Sequence, residues 1–500
     1  MRNETERIRI GAAVRWCAAV AVLCLLAVPG VAGEAAATRP APAGEGWSWE
    51  GVEIPVRKGP HPLVEQAAAV RKRLELILGA RFDEERTVGI EVIERDETTA
   101  IFLEEIDREF PPEEIAFAED SVVRFGLAPK GFRIKEAMMD LLEANIGGFY
   151  VPRRKTLFLI KGQPMQSMVT AHELTHAFQD QRLDLEAENR WRRSNDDASL
   201  AFTCFIEGEA VQSMTVHQEQ FGTALETLSG GLVSLLMTKE QMAALERAPL
   251  FLRESLIYPY IGGRRFVLRA YRNGGFRGVR KLYDDLPASS EQILHPDKYF
   301  GDRDAPTILS LAPLQAALGD AWIVRGENTV GEFSLQLLLR THGAGRGHAR
   351  GAAAGWDGDR YALFRRRGAA EAPAEAGEAA EGATADAEGA DAEAREVLIW
   401  ASTWDRATEA ADFADAVAAV FPRVDKVERT KDADGHHVRW SWSEGRPCHL
   451  VVREREALYL DGLEEGEAVV LIAAWRAAVD DGSLFAEDHR DPVAIEGEEW

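Results

Sequence analysis

The sequence is short of cysteine, of positive charge and of long apolar runs, and each shortage excludes something. Four cysteines stand in 500 residues. Cys17 and Cys24 sit near the N-terminus, which leaves Cys204 and Cys448, too sparse a pair for a disulfide framework. Lys and Arg total 58 against 83 Asp and Glu, a formal net charge of −25. That balance disfavours nucleic acid and anionic membrane surfaces as partners. The one long apolar run, Trp16 to Val28, is shorter than the roughly 20 residues a spanning helix needs.

That run follows Arg2, Arg7, Arg9 and Arg15 and leads into Pro29-Gly30-Val31-Ala32-Gly33. The layout is that of a secretory signal, with the small residues Val31 and Gly33 at the cleavage positions. Residues 1–33 are therefore expected to be removed, 34–47 to form a Pro/Ala-rich linker, and the mature protein to be periplasmic or secreted. An uncleaved N-terminal anchor is the alternative; neither Cys17 nor Cys24 follows a lipobox.

Part of the acidity is local. From Glu371 to Glu393 the chain carries Glu371, Glu375, Glu378, Glu381, Asp386, Glu388, Asp391 and Glu393 among Ala and Gly, with no base. Such a tract buries too little apolar surface to offset its ordering entropy, so 368–395 is expected to be a disordered insertion. One strand signal ends at Phe364 and another begins at Val397, and the tract is expected to be an insertion rather than an interdomain linker. The resemblance to a group of exported bacterial proteins in which Gly355 to Tyr361, an aromatic strand and Trp404-Asp405 recur with a short connection implies the swollen tip of a hairpin.

What is present is Ala171-His172-Glu173-Leu174-Thr175-His176-Ala177. On a helix, H-E-x-x-H places both imidazoles on one face, where a single zinc ion can hold them, and leaves the glutamate beside a metal-bound water. About 0.04 accidental matches are expected in a chain of this composition. Leu174 and Phe178 are apolar at i and i+4, as a buried helix requires. The bland reading is a core helix that carries two histidines.

A catalytic zinc needs three protein ligands and an open position. The metzincin continuation is absent, since Gln179 and Arg182 stand where Gly and His belong. The third ligand must come from a later segment, and the helical run from about Asp197 to Gln218 supplies Phe205-Ile206-Glu207-Gly208-Glu209-Ala210-Val211. Glu207 shares an apolar stripe with Cys204, Val211 and Met214, an expensive place for a carboxylate unless a metal binds it. Glu209 lies about 200° away around the helix, so one of the two faces the metal, and Glu207 is the choice. Cys204 reads as a small buried thiol.

His172-Glu173-Leu174-Thr175-His176-Ala177 resembles the active-site helix of thermolysin-type gluzincins. Ile206-Glu207-Gly208-Glu209-Ala210 resembles the N-E-G-x-A ligand helix of gluzincin aminopeptidases. More broadly, the chain resembles little-characterised exported bacterial HExxH proteins of the peptidase-MA-like group. The matching stretches are Gly148-Phe149-Tyr150, His172 to Gln181, Glu207-Gly208-Glu209-Ala210, Pro259-Tyr260-Ile261-Gly262 and Ser290-Glu291-Gln292-Ile293-Leu294-His295-Pro296. The resemblance implies an α+β, zincin-like fold with a mixed sheet and active-site helices, bound Zn2+, and hydrolysis of a peptide or protein substrate. His172, His176 and Glu207 are then the ligands and Glu173 the general base. The chain departs from the thermolysin pattern at Val211, where an acidic residue would orient an imidazole; Asp180, one turn after His176, is the substitute candidate.

Gly147 to Val151 and Thr156 to Ile160 read as two strands joined by a turn, either a sheet edge to which an extended peptide can add or an ordinary hairpin. An oxyanion donor is sought among Tyr260, Tyr258 and His295. Gly262-Gly263 and Gly274-Gly275 read as turns, with hinges as the alternative.

Residues 48–345 are expected to form the metallopeptidase domain, with a helical region at its start (Leu63 to Leu78, Ala100 to Phe110, Pro112 to Phe125). Residues 346–500 are expected to form an α+β module in which Trp404, Trp440 and Trp442 belong to core and rim. The function expected is an exported zinc metalloendopeptidase. An aminopeptidase using Glu209 to bind an amine, and a non-catalytic zinc-stabilised envelope protein, are the alternatives.

Overall fold

The computed structural model describes residues 61–145, 147–162, 166–222, 245–367, 395–421, 428–432, 435–442 and 445–486. The signal segment, the linker and nearly all of the acidic insertion lie outside the described residues. The described chain divides into two compact units between Asp304 and Ala305, and both combine helices with a sheet. No helix among the described residues is long and apolar enough to cross a membrane.

In the first unit α1 (Pro62–Leu78) is capped by the His61 side chain and stopped by Gly79, whose φ of 62° suits glycine. It buries Val64, Ala67, Val70, Leu74 and Leu78, one stripe at helical spacing. Strand β1 (Gly89–Ile93) and the helices α2 (Arg95–Glu109), α3 (Pro112–Arg124) and α4 (Ile134–Asn145) follow. Then come β2 (Gly148–Val151) and β3 (Thr156–Ile160). The sheet order is β1-β3-β2, with β1 parallel and β2 antiparallel to β3. Because β1 belongs to this sheet, the N-terminal helical region is part of the unit and not an appendage.

Helix α5 (Gln166–Leu183) carries the H-E-x-x-H segment, and α6 (Asp196–Phe221) carries Glu207. Asn195 caps α6 by accepting from Ala198 N at 2.9 Å. Residues Ser199 to Ser213 of α6 are buried all round, so its interior position comes from packing on α5 and α1 on several sides. Helix α7 (Leu250–Tyr258), a π turn at Pro259–Gly263 and α8 (Arg264–Arg272) run on as one helical segment against α6.

Gly262 and Gly263 are thus not a turn. They lie inside a helix, and at Gly263 two backbones meet: a Cβ on Gly208 would stand 2.3 Å from Gly263 O, and one on Gly263 would stand 1.9 Å from Cys204 O, while one on Gly262 would meet the Tyr258 ring. Gly274-Gly275 does form a turn, with positive φ at both residues.

The second unit is built on seven antiparallel strands: β4 (Trp322–Asn328), β5 (Trp356–Arg366), β6 (Glu396–Trp404), β7 (Glu428–Asp432), β8 (Gly435–Ser441), β9 (Pro447–Arg453) and β10 (Glu456–Asp461). Their order is β4-β5-β6-β10-β9-β8-β7. Helices α9 (Gly331–Thr341), α10 (Arg346–Ala353) and α11 (Ala407–Val420) pack together, with α9 and α11 resting on strands. Helix α12 (Glu465–Asp480), with a short helix at Ala312–Leu318, closes a core of Phe364, Val397, Ile399, Leu458, Leu460, Leu471 and Trp475. Buried Asp359 accepts from Val330 N and Gly331 N at 2.7 and 2.8 Å and from Trp356 Nε1 at 2.7 Å, fixing the start of α9.

Strands β5 and β6 are antiparallel neighbours, with Arg365 opposite Glu396, the pairing that a hairpin on either side of the acidic tract requires. Trp404 and Trp440 are buried. The module begins some way before residue 346. Strand β4 pairs with β5 and belongs to it, but its alternation is broken at Gly326, where the register shifts.

Candidate active site

Helix α5 projects His172 and His176 from one face, and their Nε2 atoms lie 3.0 Å apart. Glu207 Oε2 of α6 is 3.1 Å from His172 Nε2 and 3.7 Å from His176 Nε2. Among the described residues these three form a buried group of ligating atoms able to hold a metal ion. A tetrahedral ion with bonds of about 2.0–2.1 Å keeps its ligand atoms about 3.3 Å apart, and the three separations bracket that value. Cys204, one turn before Glu207, is buried and is not one of the group.

The energetics of this cluster are unfavourable for polar groups alone. Burial pushes Glu207 well above the usual carboxylate range; the neighbouring Glu173 adds to the rise and Tyr260 opposes it. Burial also holds His172 well below its ordinary pKa, with His176 adding to the effect, and lowers His176 to about 4. Two carboxylates and two imidazoles packed together out of water are costly unless a cation joins them. His172 Nδ1 and Glu173 Oε1 are buried without a hydrogen-bond partner. The donor set and its geometry fit zinc.

Glu173 is anchored at one end only. Its Oε2 accepts the backbone N–H of Tyr150 in β2 at 2.9 Å. Burial raises its pKa well above the ordinary value against the effect of that bond. Strand β2 is the sheet edge, and its Tyr150 amide points at α5 rather than into the sheet.

Tyr260 projects from the π turn and is almost wholly buried. Its ring stacks on His172, with centroids 6.0 Å apart and planes 21° from parallel. Tyr258 lies one step away, its ring against Gly262. His295 caps the C-terminus of a short helix, Ser290–Leu294, and is half-buried. That helix is fastened to the start of α6 by Ser290 N donating to Asp197 Oδ2 at 3.0 Å. The structure ties Tyr260 to His172, while His295 belongs to a neighbouring element.

Asp180 does not orient an imidazole. It accepts from Tyr150 Oη at 2.7 Å, from Lys155 Nζ at 2.9 Å and from Leu185 N at 3.1 Å, and so holds β2 and the end of α5 together. The imidazole partner is Gln179, whose Oε1 lies 2.9 Å from His176 Nδ1. Its Nε2 donates to Ile206 O at 2.9 Å and to Glu209 Oε2 at 3.0 Å, and Glu209 also accepts from Tyr283. Gln179 is not among the residues the sequence singles out, although a residue three positions after His176 shares its helix face.

Comparison with known proteins reaches only the second unit. Residues 322–481, from β4 to the end of α12, match a family described as a domain of unknown function (DUF8575). His172, Glu173, His176, Glu207 and Tyr260 lie outside that match. No curated protein matches the chain, and no solved structure matches it.

Proposed function

We propose that the chain is an exported zinc metalloendopeptidase of zincin-like, gluzincin type, with His172, His176 and Glu207 as the ligands. One observation carries the reading: two imidazole nitrogens and a carboxylate oxygen from two helices converge at 3.0–3.7 Å in a buried site, beside a glutamate with one free oxygen. Zinc, when bound, supplies Lewis acidity, polarising a carbonyl and lowering the pKa of a water.

The protein's own groups do the rest. Tyr150 N–H fixes Glu173 Oε2 and leaves Oε1 to take a proton from the attacking water and return it to the leaving amine. A carboxylate whose pKa is raised by burial suits both halves of that exchange. The Tyr260 hydroxyl is the preferred donor to the developing oxyanion, with His295 the alternative. The edge position of β2 favours an extended substrate held through backbone bonds.

An aminopeptidase needs a free acid near the metal for the substrate amine. Glu209 is engaged by Gln179 and Tyr283, which supports cleavage inside a chain. The N-terminal signal pattern supports export.

The test compares the mature protein with Glu173→Gln. Equal zinc content with peptide hydrolysis lost in the variant is the expected result. Zinc bound by both and hydrolysis by neither favours the scaffold reading, and no zinc in the wild type overturns the proposal.

A further inference from the structure

We propose that Gln179 is a positioning residue that fixes the tautomer of His176, and that Glu209 and Tyr283 hold it in the one orientation that does so. The inference rests on the zinc reading above and concerns how this chain prepares one of its ligands.

An imidazole that ligates through Nε2 must carry its proton on Nδ1, and that proton needs an acceptor. Gln179 offers either an oxygen or an NH2 group to His176, depending on which way its amide is turned. The far end decides. There Gln179 Nε2 lies 2.9 Å from Ile206 O and 3.0 Å from Glu209 Oε2. A backbone carbonyl only accepts, and the same Glu209 oxygen already accepts from Tyr283. Turning the amide over would face an oxygen against two acceptors and forfeit both bonds. Gln179 Oε1 must therefore point at His176, and the His176 proton must sit on Nδ1, leaving Nε2 as a lone pair directed at His172 Nε2 and Glu207 Oε2.

The inner part of the relay is buried, with Gln179 and His176 at 0% exposure and Glu209 at 1%, and half-buried Tyr283 closes its outer end. It also joins the two ligand helices, because Ile206 immediately precedes Glu207. His172 has no equivalent partner, since its Nδ1 is buried and unbonded.

The test uses the full mature chain and zinc itself. Gln179→Leu, Glu209→Leu, Glu209→Gln and the Gln179→Leu/Glu209→Leu double variant are titrated with zinc against a chromophoric chelator. Losing an orienting partner typically costs about 10–100-fold in metal affinity, and that loss is expected for Gln179→Leu. Glu209→Leu should weaken binding less, the double variant should be no worse than Gln179→Leu, and Glu209→Gln should retain affinity because its amide oxygen accepts the same bonds. In the zinc-loaded wild type, 15N-histidine NMR should show a protected Nδ1–H on His176 that Gln179→Leu abolishes.

Wild-type zinc affinity in Gln179→Leu, or strictly additive losses in the double variant, overturns the proposal. If Gln179→Leu does not fold by circular dichroism, the Glu209→Leu and Glu209→Gln pair decides: equal affinity in these two refutes the relay. A wild type that binds no zinc refutes the metal reading itself, a different failure from a wild type and a Gln179→Leu variant that bind it equally.

Discussion

Gly263→Ala is the substitution whose consequence follows most directly from the geometry. The added methyl would meet Cys204 O at 1.9 Å and Cys204 C at 2.7 Å. Ordinary carbon–oxygen contact begins near 3.3 Å, so the two backbones must part by about 1.4 Å. Neither can yield by rotating a side chain, because both sides of the contact are main chain. Alanine gains about 1 kcal/mol over glycine in a helix interior, but overpacking of this kind costs about 1–3 kcal/mol. The steric cost equals or exceeds the gain, and a net loss of up to about 2 kcal/mol is expected. Cys204 is one turn from Glu207, and metal geometry tolerates about 0.2 Å. Even a fraction of the displacement, passed along α6, should weaken zinc binding at least tenfold, about 1.4 kcal/mol. Urea unfolding of the metal-free protein and chelator competition for zinc measure the two effects separately. Gly351→Ala is the control, since nothing lies within 4 Å of a Cβ at that position in α10, and it should be neutral to stabilising. A Gly263→Ala protein with wild-type stability and wild-type zinc affinity would refute the close crossing of α6 with the π turn.

Tyr260→Phe should keep zinc, because the ring that stacks on His172 is retained, and should lower kcat by about 10²–10³-fold if the hydroxyl serves the oxyanion. An unchanged kcat would move that role to His295. A second expectation concerns acid. His437 Nε2 and His449 Nδ1 lie 3.3 Å apart in the second unit. Burial lowers His437 to about 4 and also depresses His449, and each of the other charged neighbours acts more weakly. The unfolded chain, with histidine pKa values of about 6.5, then binds protons that the folded unit refuses. Stability contributed by these groups is complete above about pH 6.5 and is lost as the pH falls towards about 4. Denaturant midpoints of wild type and His437→Gln, compared at about pH 7 and pH 5, should show a smaller fall in the variant; equal falls would remove the pair as a cause.

How much was readable beforehand depended on whether the signal was local. Helix α1 was expected from Leu63 to Leu78 and runs Pro62–Leu78, because an apolar stripe of period 3.6 is a local property. The strand at β4 was not foreseen, since Gly326 interrupts its alternation and only its pairing with β5 reveals it. Gly262-Gly263 carries a turn signal, yet Gly263 serves a backbone contact with a helix more than fifty residues away and Gly262 makes room for the Tyr258 ring. Asp180 is the partner expected for His176 on helical spacing; the position of Ile206 O and Glu209 on the facing helix turns Gln179 to it instead.

The sequence by itself determined that His172 and His176 share a helix face with Glu173 beside them and that Glu207 is a carboxylate on an apolar stripe. Each of these follows from a periodicity of the chain. Only the tertiary structure decided that Glu207 Oε2 reaches both imidazoles, that Tyr150 anchors Glu173, that Tyr260 stacks on His172, and that Gln179 sets the proton on His176. Those contacts exist because α6 crosses the π turn at glycine-thin backbones while packing on α5, and because β2 ends the sheet beside α5. Distances between elements are set by packing, which no period along one element records.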